Sequence, residues 1–147
     1  MRIALGSDHA GFEMKQAVKA YLGVRGLQVE DVGTFNSDSV DYPEIGAAVA
    51  RAVAGGRCER GILVCGSGEG MCMVANRFAG IRAALAPTEE HAQLSRRHND
   101  ANVLCLGGRL TALDEAYKIV DAFLDTGFEG GRHQRRVDQI EEVSGGQ

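Results

Sequence analysis

Cys65 is the residue whose type and place first suggest chemistry, because it closes an apolar run, Gly61–Cys65 (GILVC), and opens a glycine-rich turn, Cys65–Gly70 (CGSGEG). Glycines in such a turn let backbone N–H groups approach an anionic oxygen, and a helix starting just beyond adds partial positive charge. A thiol at the mouth of that turn is placed to have a lowered pKa and to serve as base or nucleophile. A buried structural cysteine beside a tight turn fits the same spacing, since unpaired cysteine is among the most buried residue types. The turn lacks the Lys-Ser/Thr ending of a P-loop and the spacing of a dinucleotide fingerprint. The next apolar run, Ile81–Ala86, also lacks a terminal acidic residue to hold a ribose, so no nucleotide cofactor is expected.

Ser7–Gly11 (SDHAG) sets a carboxylate, Asp8, beside an imidazole, His9. That pair can relay protons or grip an anionic substrate, and Asp8 fits equally well as the cap of a following helix. Tyr42 stands in a polar loop, where it lines a cleft or simply packs. His98 and Asn99 belong to a polar turn. Arg132 and Arg136 are four apart and share a helix face, which makes either a fork for one phosphate or an ordinary solvated surface. Arg109 is a third candidate for a phosphate. The four histidines, at 9, 91, 98 and 133, are scattered without metal-ligand spacing, so no metal centre is expected.

These groups need elements to position them, and the chain alternates short apolar runs with longer amphipathic ones. Strands are expected at Arg2–Gly6, Leu27–Val32, Gly61–Cys65, Ile81–Ala86 and Val103–Gly107. Helices are expected at Phe12–Tyr21, Pro43–Ala54, Met71–Phe78, from the cap Thr88 to Arg97, at Leu113–Leu124 and at Arg132–Val143. Five strand–helix units predict an α/β three-layer sandwich, with a five-stranded parallel sheet doubly wound in the Rossmann or flavodoxin manner. Ligands of such sheets bind outside the carboxyl ends of the strands. Asp8, His9 and Cys65 then share one edge. His98 precedes the fifth strand and falls at the opposite edge, so a mechanism joining it to Cys65 requires a second subunit.

The 147 residues suit a single domain, with 144–147 expected to fray as a disordered tail. A hydrophobic share of 44%, a charged share of 24% and a net charge of -4 with no basic run argue against nucleic acid or an anionic membrane as partner. Neither a signal segment nor a run of about 20 apolar residues is evident, which points to the cytoplasm. Four cysteines without CxxC pairing read as reduced thiols.

Taken together, GSDHAG at 6–11, SVDYP at 39–43, CGSGEGM at 65–71, ANRFAGIRAA at 75–84, SRRHNDANVL at 95–104 and GGRHQRRV at 130–137 resemble the B-type ribose-5-phosphate isomerases, a family that includes galactose-6-phosphate isomerase subunits. The resemblance implies a metal-independent, cofactor-free aldose–ketose isomerase in which Cys65 moves a proton between C1 and C2 through an enediolate. It implies that Gly66, Ser67, Gly68, Glu69 and Gly70 surround the developing charge, and that Asp8 and His9 contact substrate. His98 would open the furanose ring beside Asn99, while Arg109, Arg132 and Arg136 would hold phosphate and substrate. It further implies a homodimer or dimer of dimers, with His98 and Arg109 contributed by the neighbouring subunit. Glu69 stands where the family commonly has a small or apolar residue, and Cys72 where it often has Ser. Some relatives lack the cysteine and use a glutamate just past the glycine loop, a position held here by Met71. Competing expectations are the same chemistry on galactose 6-phosphate or a tetrose phosphate, and a non-catalytic flavodoxin-like binding module.

Overall fold

Alternate residues of the inner strands face two different helical layers, and this alternation places Cys65. The computed structural model describes residues 1–145. Its elements run β1 (Arg2–Ser7), α1 (Phe12–Val24), β2 (Gln28–Asp31), α2 (Tyr42–Ala54), β3 (Arg60–Cys65), α3 (Glu69–Ala75), β4 (Ala83–Leu85), α4 (Glu89–Asn99), β5 (Val103–Gly107), α5 (Leu113–Asp125) and α6 (Arg132–Val143). All five strands are parallel. Ile3, Leu5, Ile62, Val64, Leu104 and Leu106 face a layer built from Met14, Val18 and Leu22 of α1, Ala92 of α4 and Ile119, Val120 and Phe123 of α5. The intervening Ala4, Leu63, Cys65, Val103 and Cys105 face Val49, Ala50 and Val53 of α2 and Met71 and Ala75 of α3. Ile119 and Phe123 are fully buried, and each such side chain contributes about 1.5–3 kcal/mol.

The expected α/β three-layer architecture is present, with strand order β2-β1-β3-β5-β4. That order departs from the flavodoxin arrangement, in which β4 and β5 follow in sequence. Burial explains the exchange. Every residue of β5 is buried, so it belongs inside the sheet, whereas the three residues of β4 are only partly covered and suit an edge. β4 is also half the expected length, since only Ala83–Leu85 pairs with β5.

Helix ends follow local chemistry. The Thr88 hydroxyl accepts the His91 N–H at 3.2 Å, which caps α4 as expected. Pro43 sits in the first turn of α2. α3 begins at Glu69 rather than Met71, because Gly68 takes a left-handed φ of 83° that ends the loop there. α6 spans its expected bounds, and Ser144 closes it with a helical φ of -85°. Of the expected frayed tail, residues 146–147 lie outside the described residues.

Candidate active site

The carboxyl ends of β1, β3 and β5 meet over a cavity of about 520 Å³, lined by Asp8, Tyr42, Cys65, Gly66, Ser67, Glu69, Gly70, Met73, Arg109 and Leu110. Parallel pairing produces this convergence. Cys65 is in register with Gly107, and Ser7 with Val64, so the residues just beyond each strand rise at the same edge. A second cavity of about 470 Å³ lies between α2 and α3, bordered by Glu44, Arg51, Met73 and Phe78, and holds none of the expected catalytic residues.

Cys65 is 5% exposed, at the floor of the first cavity. Its carbonyl accepts the Gly108 N–H at 2.8 Å, and the Gly66 carbonyl accepts the Arg109 N–H at 3.0 Å, which fastens the glycine turn to the end of β5. Among the described residues, the N–H groups of Gly66, Ser67 and Gly68 donate to no protein acceptor. The Glu69 N–H is taken by the Ser67 hydroxyl at 3.2 Å. Glu69 and Gly70 begin α3, and the N–H of Gly70, like those of the three loop residues, donates to no protein acceptor among the described residues. A carbon added to Gly70 would stand 2.6 Å from Cζ of Tyr42, so glycine there is what lets the tyrosine ring close the cavity wall.

Asp8 lies in the turn before α1, whose N-cap is Gly11 rather than Asp8. It is 7% exposed and accepts the Gly11 N–H at 3.0 Å, tying down the turn before α1, while it also lines the cavity. His9 is oriented by Val40, whose N–H lies 3.2 Å from Nδ1, leaving Nε2 without a protein partner among the described residues.

The loop that carries Val40 and leads into Tyr42 of α2 is latched by a residue that its sequence context does not advertise. Lys15, fully buried, donates to both oxygens of Asp31 at 2.8 and 2.9 Å and to the Thr34 carbonyl at 2.6 Å. Phe12 and Phe35 cover its ammonium, 5.4 and 5.1 Å from the ring centroids. Burial alone would raise the Asp31 carboxyl, but hydrogen bonds from Lys15, the Gly33 amide and Lys19 hold it below the ordinary carboxylate range. A lysine in an amphipathic run reads as solvent-facing, and only the buried acidic partner marks it out.

Arg109 lies at the same edge as Cys65. The resemblance assigns it to a neighbouring subunit, yet it lines the same chain's cavity, because it lies two residues beyond Gly107, the register partner of Cys65. His9, Gly68, His98, Asn99, Arg132 and Arg136 are absent from the cavity lining. His98 lies near the end of α4, before β5, at the opposite edge. The five residues of β5 alone advance roughly 13 Å between the two edges.

At that opposite edge the His98 and His133 rings stack with centroids 4.4 Å apart. Glu129 Oε1 stands 3.8 Å from His98 Nε2 and 3.5 Å from His133 Nε2. Burial lowers the His133 pKa, and His98 and Arg132 push it the same way. The scatter of histidines along the chain thus gives way to a close His98–Glu129–His133 group in the fold. Neither Glu129 nor His133 was singled out from sequence, although their i,i+4 spacing was the available signal.

One further thiol differs from its neighbours. Cys72, partly buried in α3, has its pKa lowered to about 7, chiefly through the neighbouring Cys105 thiol. The Cys105 thiol is raised correspondingly by Cys72 and by burial. All four cysteines are free. No helix among the described residues is long and apolar enough to cross a membrane.

A family model described as Ribose/Galactose Isomerase matches residues 3–140. The ribose-5-phosphate isomerase B of Escherichia coli K12 is 51% identical over 139 residues, covering 95% of this chain and 93% of that protein. The solved ribose-5-phosphate isomerase B of Clostridium thermocellum superposes with a TM-score of 0.98 at 48% identity, covering 99% of this chain and 98% of the other. That of Mycoplasma genitalium, solved with bound ribulose-5-phosphate, superposes with a TM-score of 0.93 at 41% identity, covering 99% and 97%.

Proposed function

The chain belongs to the ribose/galactose isomerase family, and from that premise we propose that it interconverts ribose 5-phosphate and ribulose 5-phosphate, with Cys65 transferring the proton. The observation that carries this reading is the cavity itself, where a nearly buried thiol lies beside open amides of the glycine turn, a buried carboxylate and an arginine. The relatives' names favour the five-carbon substrate over galactose 6-phosphate, a tetrose phosphate or a non-catalytic role.

The Cys65 thiolate takes the proton from C2 of the open-chain aldose and returns it to C1. Between these transfers the sugar is an enediolate, whose negative oxygen faces the amides of Gly66, Ser67 and Gly68 and the Ser67 hydroxyl. Donors already aimed at developing charge lower the barrier without reorganising. Asp8 handles the accompanying hydroxyl proton. Tyr42 and Gly70 shape the wall, and His9 and Arg109 hold the anionic end of the substrate. Glu69 is exposed at the start of α3, where a carboxylate favours the helix dipole. Solvent there weakens its repulsion of the Cys65 thiolate.

His98, Asn99, Arg132 and Arg136 complete the site from a second copy of the chain, so the working unit is a homodimer or a dimer of dimers. The cavity rim carries Met73 and Leu110 at 67% and 76% exposure, apolar surface suited to cover by another subunit. In the partner's site His98 protonates the ring oxygen to open the furanose, and the two arginines, one helical turn apart, grip the phosphate. The protein acts in the cytoplasm as one isomerase domain.

Mixed subunits test this arrangement. Cys65→Ala and His98→Asn chains, each inactive alone, are unfolded together, refolded at equal ratio and assayed in EDTA on ribose 5-phosphate. A shared site restores about a quarter of wild-type activity, because half the dimers are mixed and each holds one intact site. No restoration would place both residues in the service of one chain and defeat the shared-site reading. Thiol alkylation, in a Cys72→Ser background to remove the competing thiol, should be slowed by sugar phosphates and not by ATP or FMN. Protection by nucleotides alone would defeat the isomerase reading itself.

A further inference from the structure

The segment joining α5 to α6 is tied to the end of α4 by its backbone. The Glu129 N–H donates to the Arg97 carbonyl at 3.0 Å, and Arg96 Nε donates to the Thr126 carbonyl at 3.1 Å. Glu129 is thereby fixed next to His98, and His133 follows one turn later in α6. One ligand atom from each of His98, Glu129 and His133 lies within 4.8 Å of the other two. The His133 side chain is 11% exposed and held in place, whereas those of His98 and Glu129 are 42% and 52% exposed.

We propose that His98, Glu129 and His133 form a binding site for a divalent transition cation of the zinc class, and that occupancy inhibits the isomerase by withdrawing His98. The inhibitory half rests on the ring-opening role proposed for His98; the binding half does not. Two imidazoles and one carboxylate suit a borderline-soft cation, while magnesium and calcium require oxygen ligands. Tetrahedral bonds of about 2.0–2.2 Å place ligand atoms roughly 3.3–3.6 Å apart. Glu129 Oε1 is already 3.5 Å from His133 Nε2 and 3.8 Å from His98 Nε2.

The two rings lie within 12° of parallel, so their lone pairs run side by side in the empty site. Closing on a metal requires the His98 ring to turn about its side-chain bonds. That turn gives up the stack on His133 but breaks no side-chain hydrogen bond, since the His98 ring makes none among the described residues beyond its contact with Glu129. Solvent at this edge supplies a water for the fourth position.

The full chain, stripped with EDTA, is titrated with zinc by calorimetry and its retained metal is counted. One zinc per chain is expected, with binding weakened at least about ten-fold in Glu129→Gln and in His133→Gln and unchanged in Cys65→Ala. Glu129→Gln, at an exposed position, serves as the variant certain to fold. Cobalt in the same site should give a spectrum without a thiolate charge-transfer band. Binding that survives Glu129→Gln and His133→Gln but disappears in Cys65→Ala would mean capture by the thiol and would overturn the site. In activity assays zinc should slow turnover of ribose 5-phosphate in the wild type, spare an acyclic tetrose phosphate, and have no effect on Glu129→Gln. Zinc bound at this site without slowing ribose 5-phosphate would overturn the inhibitory half. The underlying shared-site reading is judged separately, by subunit mixing in EDTA.

Discussion

The two edges of the sheet are built differently, although both carry residues suited to a phosphorylated sugar. At the carboxyl edge, strand register and buried groups hold the site: Cys65 and Asp8 are 5% and 7% exposed, and the glycine turn after Cys65 is fastened to β5 by backbone hydrogen bonds. At the opposite edge His98, Asn99, Arg132 and Arg136 stand on helix surfaces around no cavity that includes Cys65. One edge gathers a thiol, a carboxylate and an arginine around one cavity, and the other spreads its imidazoles and arginines over helix surfaces, with only Asn99 of these four lining a separate cavity. Under the proposed shared site, these groups would complete the cavity of a second copy of the chain.

The largest expected break in this contrast comes from the enclosed edge. Cys65→Ala should reduce kcat on ribose 5-phosphate by roughly 10²–10⁴-fold, the range of a positioned proton-transfer group. Substrate binding measured by calorimetry should be nearly unchanged, and activity retained in this variant would remove Cys65 as the base. The open edge predicts a substrate-dependent loss instead. His98→Asn should cost on the order of 10²-fold on ribose 5-phosphate and almost nothing on erythrose 4-phosphate, which has no furanose phosphate ring to open. Equal losses on both would end the ring-opening role.

The latch beneath the enclosed edge sharpens the comparison through stability. Lys15→Met leaves Asp31 buried without its main partner and should destabilise the fold by about 3–5 kcal/mol, read by urea unfolding, with a raised KM as the Tyr42 loop loosens. The same pair gives an acid signature. Because the folded Asp31 carboxyl is held below its unfolded value of about 3.9, its contribution is fully present above that pH and is lost as pH falls further. Wild-type stability should therefore decline below about pH 4 more steeply than that of Lys15→Met, and parallel curves would refute the latch. Gly70→Ala should have the smallest effect. The added carbon meets the Tyr42 ring, which is 37% exposed and can move outward. KM should rise slightly with kcat unchanged, and a change in kcat would mean that the ring does more than shape the wall.

Much of the enclosed edge was legible in the chain. Apolar runs of the right length, punctuated by glycine, mark β1, β3 and β5, and residues just past the end of a parallel strand must emerge at its carboxyl edge. Cys65, Ser67 and Asp8 could be named on that ground, and Arg109, two residues past β5, follows the same rule. The glycine turn proved shorter, because whether Glu69 continues the loop or starts the helix depends on the φ of one residue, Gly68. The Lys15 latch was hidden for a different reason. A lysine in an amphipathic segment carries no sign of burial until its acidic partner, sixteen residues on, is brought against it.

The sequence by itself determined the layers and the edges, because side-chain alternation in strands and the one-way run of a parallel sheet are local rules that propagate without further information. It determined that His98 and Cys65 part company within one chain. Only the tertiary structure decided that β5 lies inside β4, that Lys15 and Asp31 meet under the Tyr42 loop, and that two scattered histidines close on Glu129. Each of those outcomes depends on contacts between residues far apart in the chain, chosen by competition for burial that no local pattern records.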